Sequence, residues 1–501
     1  MTAKRKRTNW KSFHKWAGLV LTVFLLLFCV SGIILNHREF FAPYSVSRSL
    51  LPSAYHIENY NNGLIKGTIV TTEGKLLAYG NSGVWLTDSA FSRFTDFNAG
   101  LPAGADFRNI RNIAEGPDGT LWCAAQFGLY HYENGKWQEA ELPGNRERLA
   151  DVAIDSSDGT VVALTRSNAY LGGKDGFKRQ NLASPTGFSH KVTLFKTVWQ
   201  LHSGELFGTA GRIAVDLTAL VIIFLCVTGV LLFILPYSIR RSARERIQAK
   251  ARRMKWNLKW HNKTGYWTIV LTLVIATTGM CLRPPLMIPL ALTRTAPIPG
   301  TALDNPNPWH DRLRAIREDS FGNCWLLSTS EGFYRVAKDF EGEPEKIEHA
   351  PAVSPMGVNV LRQEPDGTWL VGSFSGMYRW DLTNRLVTDY YTGRPVEGKH
   401  RGRPVSDHLV AGFSGDLACG PAVFDYSEGA PALGPTPPAL SRQPMSLWNF
   451  ALELHVGRCY SPFLGPLSEL FVFISGLLLT LVLVSGLIIH KRYTKSQTTQ
   501  Q

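Results

Sequence analysis

Seven cysteines in 501 residues form no Cys-x-x-Cys and no Cys-x-x-Cys-His. Thiolate iron–sulfur sites and covalent c-type haem attachment therefore lack their ligand spacing. No Gly-x-Gly-x-x-Gly follows a strand-like run, so the chain carries no nicotinamide or flavin fingerprint. Acids are nearly missing from three segments: residues 1–15, the stretch around 240–259, and the tail from Lys491. Together these hold 18 bases and one acid, a net of +17. In a chain of net charge +13 the remainder sums to −4, so the basic balance is local, and no nucleic-acid partner is needed to explain it. The first long apolar run lacks a small-residue cleavage site and exceeds a signal-peptide core, so it is expected to stay as an anchor.

What the chain has in quantity is apolar length. Trp16–Leu35, Leu217–Leu235, Tyr266–Leu282 and Leu470–Ile489 are each long enough to span a bilayer, which needs about 20 helical residues. Basic residues beside spans stay cytoplasmic, which predicts a multi-pass membrane protein with both termini inside. The predicted order is a basic N-terminus (1–15), a first span (16–37), an external insert (38–200) and a second span with its extension (201–236). A basic loop (237–260), a third span (261–283), a second insert (284–453), a fourth span (454–490) and a tail (491–501) follow. Cys29, Cys226 and Cys281 fall in spans as small apolar residues. Cys123, Cys324, Cys419 and Cys459 fall outside, where a disulfide is possible but unassignable.

The chain repeats itself. His14-Lys15-Trp16-Ala17-Gly18 leads to Ser31-Gly32, and 247 residues later His261-Asn262-Lys263-Thr264-Gly265 leads to Thr278-Gly279. Leu201-His202-Ser203-Gly204 precedes Thr228-Gly229, as Leu454-His455-Val456-Gly457 precedes Ser485-Gly486. Two copies that start and end on the same side are parallel repeats about an axis along the membrane normal. Each insert repeats as well. Pro117-Asp118-Gly119-Thr120-Leu121-Trp122 runs on to Gly128-Leu129-Tyr130, and Pro365-Asp366-Gly367-Thr368-Trp369 runs on to Gly376-Met377-Tyr378. Weaker copies surround Gly74, Gly159, Gly322 and Gly415. The spacing of roughly 40–49 residues is that of a four-stranded propeller blade. The expected fold is a four-helix transmembrane bundle plus an all-β periplasmic propeller of about six blades, three from each insert. The Asp-Gly and Trp positions read as turn and core residues, and no catalytic residue is assigned.

Six histidines lie near span ends, where ionisable groups suggest function. His14 pairs with His261 on the cytoplasmic side and His202 with His455 on the outer side. His37 and His490 have no counterpart in the other copy and stand behind these four. Opposed pairs without nearby acids, Glu205 and Glu453 apart, suit two bis-histidine b-type haems better than zinc, which wants three or four clustered ligands. Gly18 and Gly265 follow by four residues, on the same helical face, where either a close macrocycle or a neighbouring helix needs a small residue.

At these residues the chain resembles the PepSY-associated transmembrane family, which includes ferric-siderophore reductases. His14-Lys-Trp-x-Gly-Leu, Leu201-His202-x-Gly204-Glu205, Trp260-His261 and Leu454-His455-x-Gly457 carry the resemblance. It implies two b haems on His14, His202, His261 and His455, passing electrons outward to a ferric chelate or siderophore. The expected activity is thus a ferric-chelate reductase, with lipid around it and quinol or a cytoplasmic reductase as donor. Val-Gly-Arg after His455 replaces the Ser-Gly-Glu after His202, so an acid is missing from the second copy. The alternative expectation is a membrane-anchored ligand-binding or sensory propeller without redox activity.

Overall fold

The computed structural model describes residues 2–145, 147–354, 356–396 and 406–498, with the backbone alone for 2–9 and 492–498. The side chains of Lys4, Arg5, Lys6, Arg7, Arg492 and Lys495, six of the bases in the two termini, lie outside the described residues. The chain forms two compact units, each discontinuous in sequence. One holds the residues up to Arg38, His190–Asn305 and those from Trp448 onward. The other holds Glu39–Ser189 and Pro306–Leu447.

The first unit is helical: α1 (Thr2–Asn36), α2 (Leu194–Ser203), α3 (Gly208–Arg240), α4 (Arg244–Trp267), α5 (Ile269–Cys281), α6 (Leu447–His455) and α7 (Ser468–Thr498). Three stretches are long and apolar enough to cross a membrane: Trp10–Asn36, Glu205–Arg240 and Arg458–Lys491. The expected third span differs. There α4 and α5 meet at a bend of 67° and reach the required length only as a pair. Composition explains the break. The α4 sequence carries eight bases and one acid, whereas α5 carries no charge. A helix so charged is costly in hydrocarbon and belongs at an interface. Thr268 Oγ1 donates to the Thr264 carbonyl at 2.8 Å, the back-bonding that bends helices. The basic connection expected at 237–260 is therefore largely helix. Helix α1 packs on α3 and α7, and α7 packs on α5. Leu21, Leu25, Cys29, Ile222, Cys226, Ala276, Leu479 and Val482 form the core between them.

The second unit is built of sheets. Four have four antiparallel strands in sequence order, and a fifth has six. Gly74, Gly119, Gly159, Gly322 and Gly367 each fall in the turn between the first two strands of a set of four, and Gly415 falls between Val410–Ser414 and Ala422–Asp425. The turns are longer than a two-residue hairpin. Gly116 N–H donates to the Thr120 carbonyl and Gly119 N–H to the Gly116 carbonyl, both at 2.9 Å. Gly119 at φ +76° and Gly367 at φ +83° adopt the left-handed backbone that makes glycine necessary there. Trp122, Trp325 and Trp369 are buried core residues.

First strands of successive sheets lie side by side. Gly67–Val70 meets Ile110–Glu115, which meets Leu149–Ile154, which meets Leu313–Asp319. Val360–Gln363 and Val410–Ser414 follow, and the last returns against Gly67–Val70, paired parallel at Gly67 and Phe413. The final sheet element has two strands of its own, Val410–Ser414 and Ala422–Asp425, where the repeat implied four. Pro431, Pro435, Pro437 and Pro438 follow it, and residues without an N–H cannot continue a ladder. No disulfide joins any of the cysteines.

Candidate functional site

Two elements place His202 and His455, and they match. Each histidine lies in the last turn of a short helix (α2 and α6), followed two residues later by a glycine in the left-handed region: Gly204 at φ +81° and Gly457 at φ +84°. The Leu-His-x-Gly motif is thus a helix stop. A Cβ on Gly204 would lie 2.3 Å from the Gly211 carbonyl oxygen, so only glycine fits the turn into α3. His14 lies early in α1, and His261 lies on α4 just before the bend.

The structure brings the four together as the repeat pairs them. The ring centres of His14 and His261 are 6.3 Å apart, and those of His202 and His455 are 6.1 Å apart. Two imidazoles bonded to one metal from opposite sides, with metal–nitrogen bonds of about 2 Å, have ring centres roughly 6 Å apart. His14 and the partner residue of His455, Ser31, stand 17 residues apart on α1, or about 25 Å of helix.

Each histidine rests on a Ser/Thr-Gly pair of another helix. His14 Nδ1 lies 3.0 Å from Ser485 Oγ, and His455 Nδ1 lies 3.0 Å from Ser31 Oγ. His202 Nδ1 lies 3.1 Å from Thr278 Oγ1, and His261 Nδ1 lies 2.8 Å from Thr228 Oγ1. A hydroxyl has one hydrogen to give. Ser31 gives its own to the Leu27 carbonyl at 2.6 Å, Thr228 to Phe224 at 2.7 Å, Thr278 to Val274 at 2.6 Å and Ser485 to Val482 at 2.7 Å. With that hydrogen given to the helix carbonyl, each oxygen is left to accept from its histidine, an arrangement that puts the proton on Nδ1 and leaves the Nε2 lone pair to a metal. Backbone carbonyls agree: His14 Nδ1 also meets the Val482 oxygen at 3.0 Å, and His455 Nδ1 the Phe28 oxygen at 3.1 Å. A metal-binding imidazole is oriented in this manner.

The glycine of each pair makes room. A Cβ on Gly279 would stand 2.8 Å from His202 Cε1, on Gly486 3.0 Å from His14 Cε1, and on Gly32 3.3 Å from His455 Cε1. Every such contact crosses from one sequence copy to the other. The sequence reading used these pairs only as markers of the repeat. Their spacing was the available signal, and their role depends on packing between copies.

The other candidates lie elsewhere. His37 Nε2 meets Asp216 at 2.7 Å and is half-exposed, while His490 packs against Tyr266 with ring centres 4.6 Å apart. Neither faces another histidine ring in the described residues. Gly18 and Gly265 stand near Val482 and Leu225, where an added Cβ would come no closer than 3.9 and 3.7 Å. Arg458, in the position of Glu205, donates from Nε to Glu453 of α6 at 2.8 Å.

Long apolar helices and a large β-rich domain define the class: a membrane protein carrying a sizeable domain outside its helices. The chain belongs to the PepSY-associated TM family, whose profile matches residues 1–235 and again 234–492. The double match follows the tandem halves. No curated protein matches the sequence. Similar solved structures include the extracellular domain of a hybrid two-component system of B. thetaiotaomicron, at 11% identity over 72% of this chain and 32% of that one, TM-score 0.34. A second such domain from that organism has 10% identity over 74% and 39%, TM-score 0.33. PorZ of the type-IX secretion system of Porphyromonas gingivalis has 11% identity over 74% and 32%, TM-score 0.30. The chain thus spans about a third of the length of these structures.

Proposed function

We propose that the chain is a di-haem, b-type electron-transfer protein of a bacterial inner membrane that reduces ferric chelates, siderophore iron among them, outside the cytoplasm. The observation that carries this reading is the set of four imidazoles, each with Nδ1 on a hydroxyl of a neighbouring helix, in two close pairs. His14 and His261 would hold one haem, His202 and His455 the other. Haem iron between two imidazoles takes up and releases a single electron. The residues' own work is to present Nε2, fix the tautomer through Ser31, Thr228, Thr278 and Ser485, and keep water away with the apolar core between the pairs. With no nucleotide fingerprint in the chain, the electrons come from quinol or a separate cytoplasmic reductase.

The same proposal takes α1, α3, α7 and the bent α4–α5 pair as a four-span bundle with both termini inside, and the sheets as a six-bladed propeller, three blades from each insert. Its support is the closed cycle of neighbouring first strands and the basic run of α4. The test is an absorption spectrum of purified protein from haem-replete cells. A Soret band with sharp reduced α-bands and two b haems per chain is expected, and His14→Ala or His261→Ala should remove one haem and leave the other. A colourless protein sinks the proposal. A second reading, a ligand-binding or sensory protein without redox activity, draws on the basic cavity described next.

A further inference from the structure

The β-rich unit contains a cavity of about 100 Å³ that opens where the first strands of its sheets begin. One water needs roughly 10–15 Å³ of such space, so there is room for several waters or one small anion. Six cations line it: Lys66, Arg111, Arg148, Arg166, Arg314 and Arg317. Asp151 is the one acid among the lining residues. Asp151 pairs with Arg317, and Asp311, just outside, meets Arg166 Nε at 2.6 Å. Bases thus outnumber acids on the cavity wall.

The backbone aims these groups. The strand Ile110–Glu115 has a bulge between Ile110 and Asn112, and the strand Leu313–Asp319 has one between Leu313 and Ala315. The extra residue is arginine in both: Arg111 and Arg314. A bulge re-aims a side chain that regular pairing would send elsewhere. Arg314 is 9% exposed, and its Nε has no hydrogen-bond partner among the described residues. Gln126 is fully buried. Its Oε1 accepts from Arg111, and its amide nitrogen has no partner among the described residues. Burial, and then the crowding charges of Arg166 and Arg148, push the Arg314 guanidinium down to about 10. Unpaired buried donors and gathered like charges cost stability unless something negative joins them.

We propose that this cavity binds a small, multiply charged oxyanion, its carboxylate or phosphate oxygens held by the Arg111 and Arg314 forks and the Gln126 amide. The site lies wholly within the β-rich unit and does not depend on the redox reading. Its test uses the full-length protein in detergent, as purified and without reductant, titrated calorimetrically with citrate and with pyrophosphate. One saturable site per chain is expected, weakening as ionic strength rises from about 0.05 to 0.5 M. Tighter citrate binding assigns a polycarboxylate, and tighter pyrophosphate binding a phosphate compound. Arg314→Gln and Arg111→Gln should each weaken binding about tenfold or more, the loss of a charge-assisted hydrogen bond, with Arg314→Lys between them and the parent. If Arg314→Gln does not fold, the part-exposed Arg148→Gln takes its place. Absence of saturable binding to both anions, or unchanged affinity in folded arginine variants, overturns the site. Neither result alters the haem spectrum, so the two proposals fail separately.

Discussion

Gly279 and Gly229 do the same task beneath two different histidines, yet they leave different room. A methyl on Gly279 would stand 2.8 Å from His202 Cε1, inside contact distance, while one on Gly229 would stand 3.7 Å from His261 Cε1. Gly279→Ala must therefore push the His202 ring off Thr278, whereas Gly229→Ala fits. If these rings hold haem, Gly279→Ala weakens retention at its pair by about 10–100-fold, the usual effect of disturbing a ligand's support. Gly229→Ala should keep the parent spectrum. Equal spectra for both variants would show that the rings do not need their glycine seats. The four histidines were legible in the sequence because the chain carries its own second copy for comparison. The hydroxyls under them were not, since Ser485 serves His14 across 471 residues and no local spacing reports it.

At the scale of elements, the Asp-Gly-Thr turns hold the first two strands of their sheets together. Thr120 Oγ1 donates to Asp118 at 2.6 Å, and Thr368 Oγ1 to Asp366 at 2.6 Å, each joined by the threonine N–H. The threonine hydroxyl first, then its N–H, holds both carboxyls below the usual range. A carboxyl depressed by folding stabilises the fold at pH values above its unfolded pKa of about 3.9 and loses that contribution as pH falls through the folded value. Melting of the full chain should hold steady above about pH 5 and fall on acidification below pH 4. In Asp118→Asn, Asp366→Asn the acid slope should be shallower. An unchanged slope would mean that other carboxylates carry it. These turns were readable because Asp, Gly and Thr each have a local reason to be there. The broken third span was not, because hydropathy counts apolar residues and is blind to where a charged helix must turn aside.

For the whole molecule, the decisive fact is that both units draw on both halves of the chain. Within the β-rich unit, Ser189 and Pro306 are separated by the sequence of His190–Asn305, so the halves must be joined largely by side chains and strand edges. On one flank the join is a ladder contact, with Phe413 N–H donating to the Lys66 carbonyl at 3.1 Å. On the other flank a backbone bond, Leu313 N–H to the Arg166 carbonyl at 2.9 Å, is joined by charges. Lys338 Nζ meets Asp155 at 2.9 Å and Glu318 at 2.6 Å, and Arg166 meets Asp311. Buried Asp151 accepts from Arg317 and, at 2.9 Å, from the Ile316 N–H of the opposing strand. The duplication announced two halves in the sequence, but its markers could not say which strands would meet at the join. Asp151 carries the sharpest test. Asp151→Ala strands a buried N–H and a guanidinium that is only 26% exposed, which should cost about 3 kcal/mol, the low end for a broken buried pair because Arg317 keeps some water. Asp151→Asn retains an acceptor for Ile316 and should lose less. Urea unfolding of the full chain, followed by tryptophan fluorescence, measures both. If Asp151→Ala unfolds with the parent midpoint, the join is not held at Asp151, and the ladder flank must carry it.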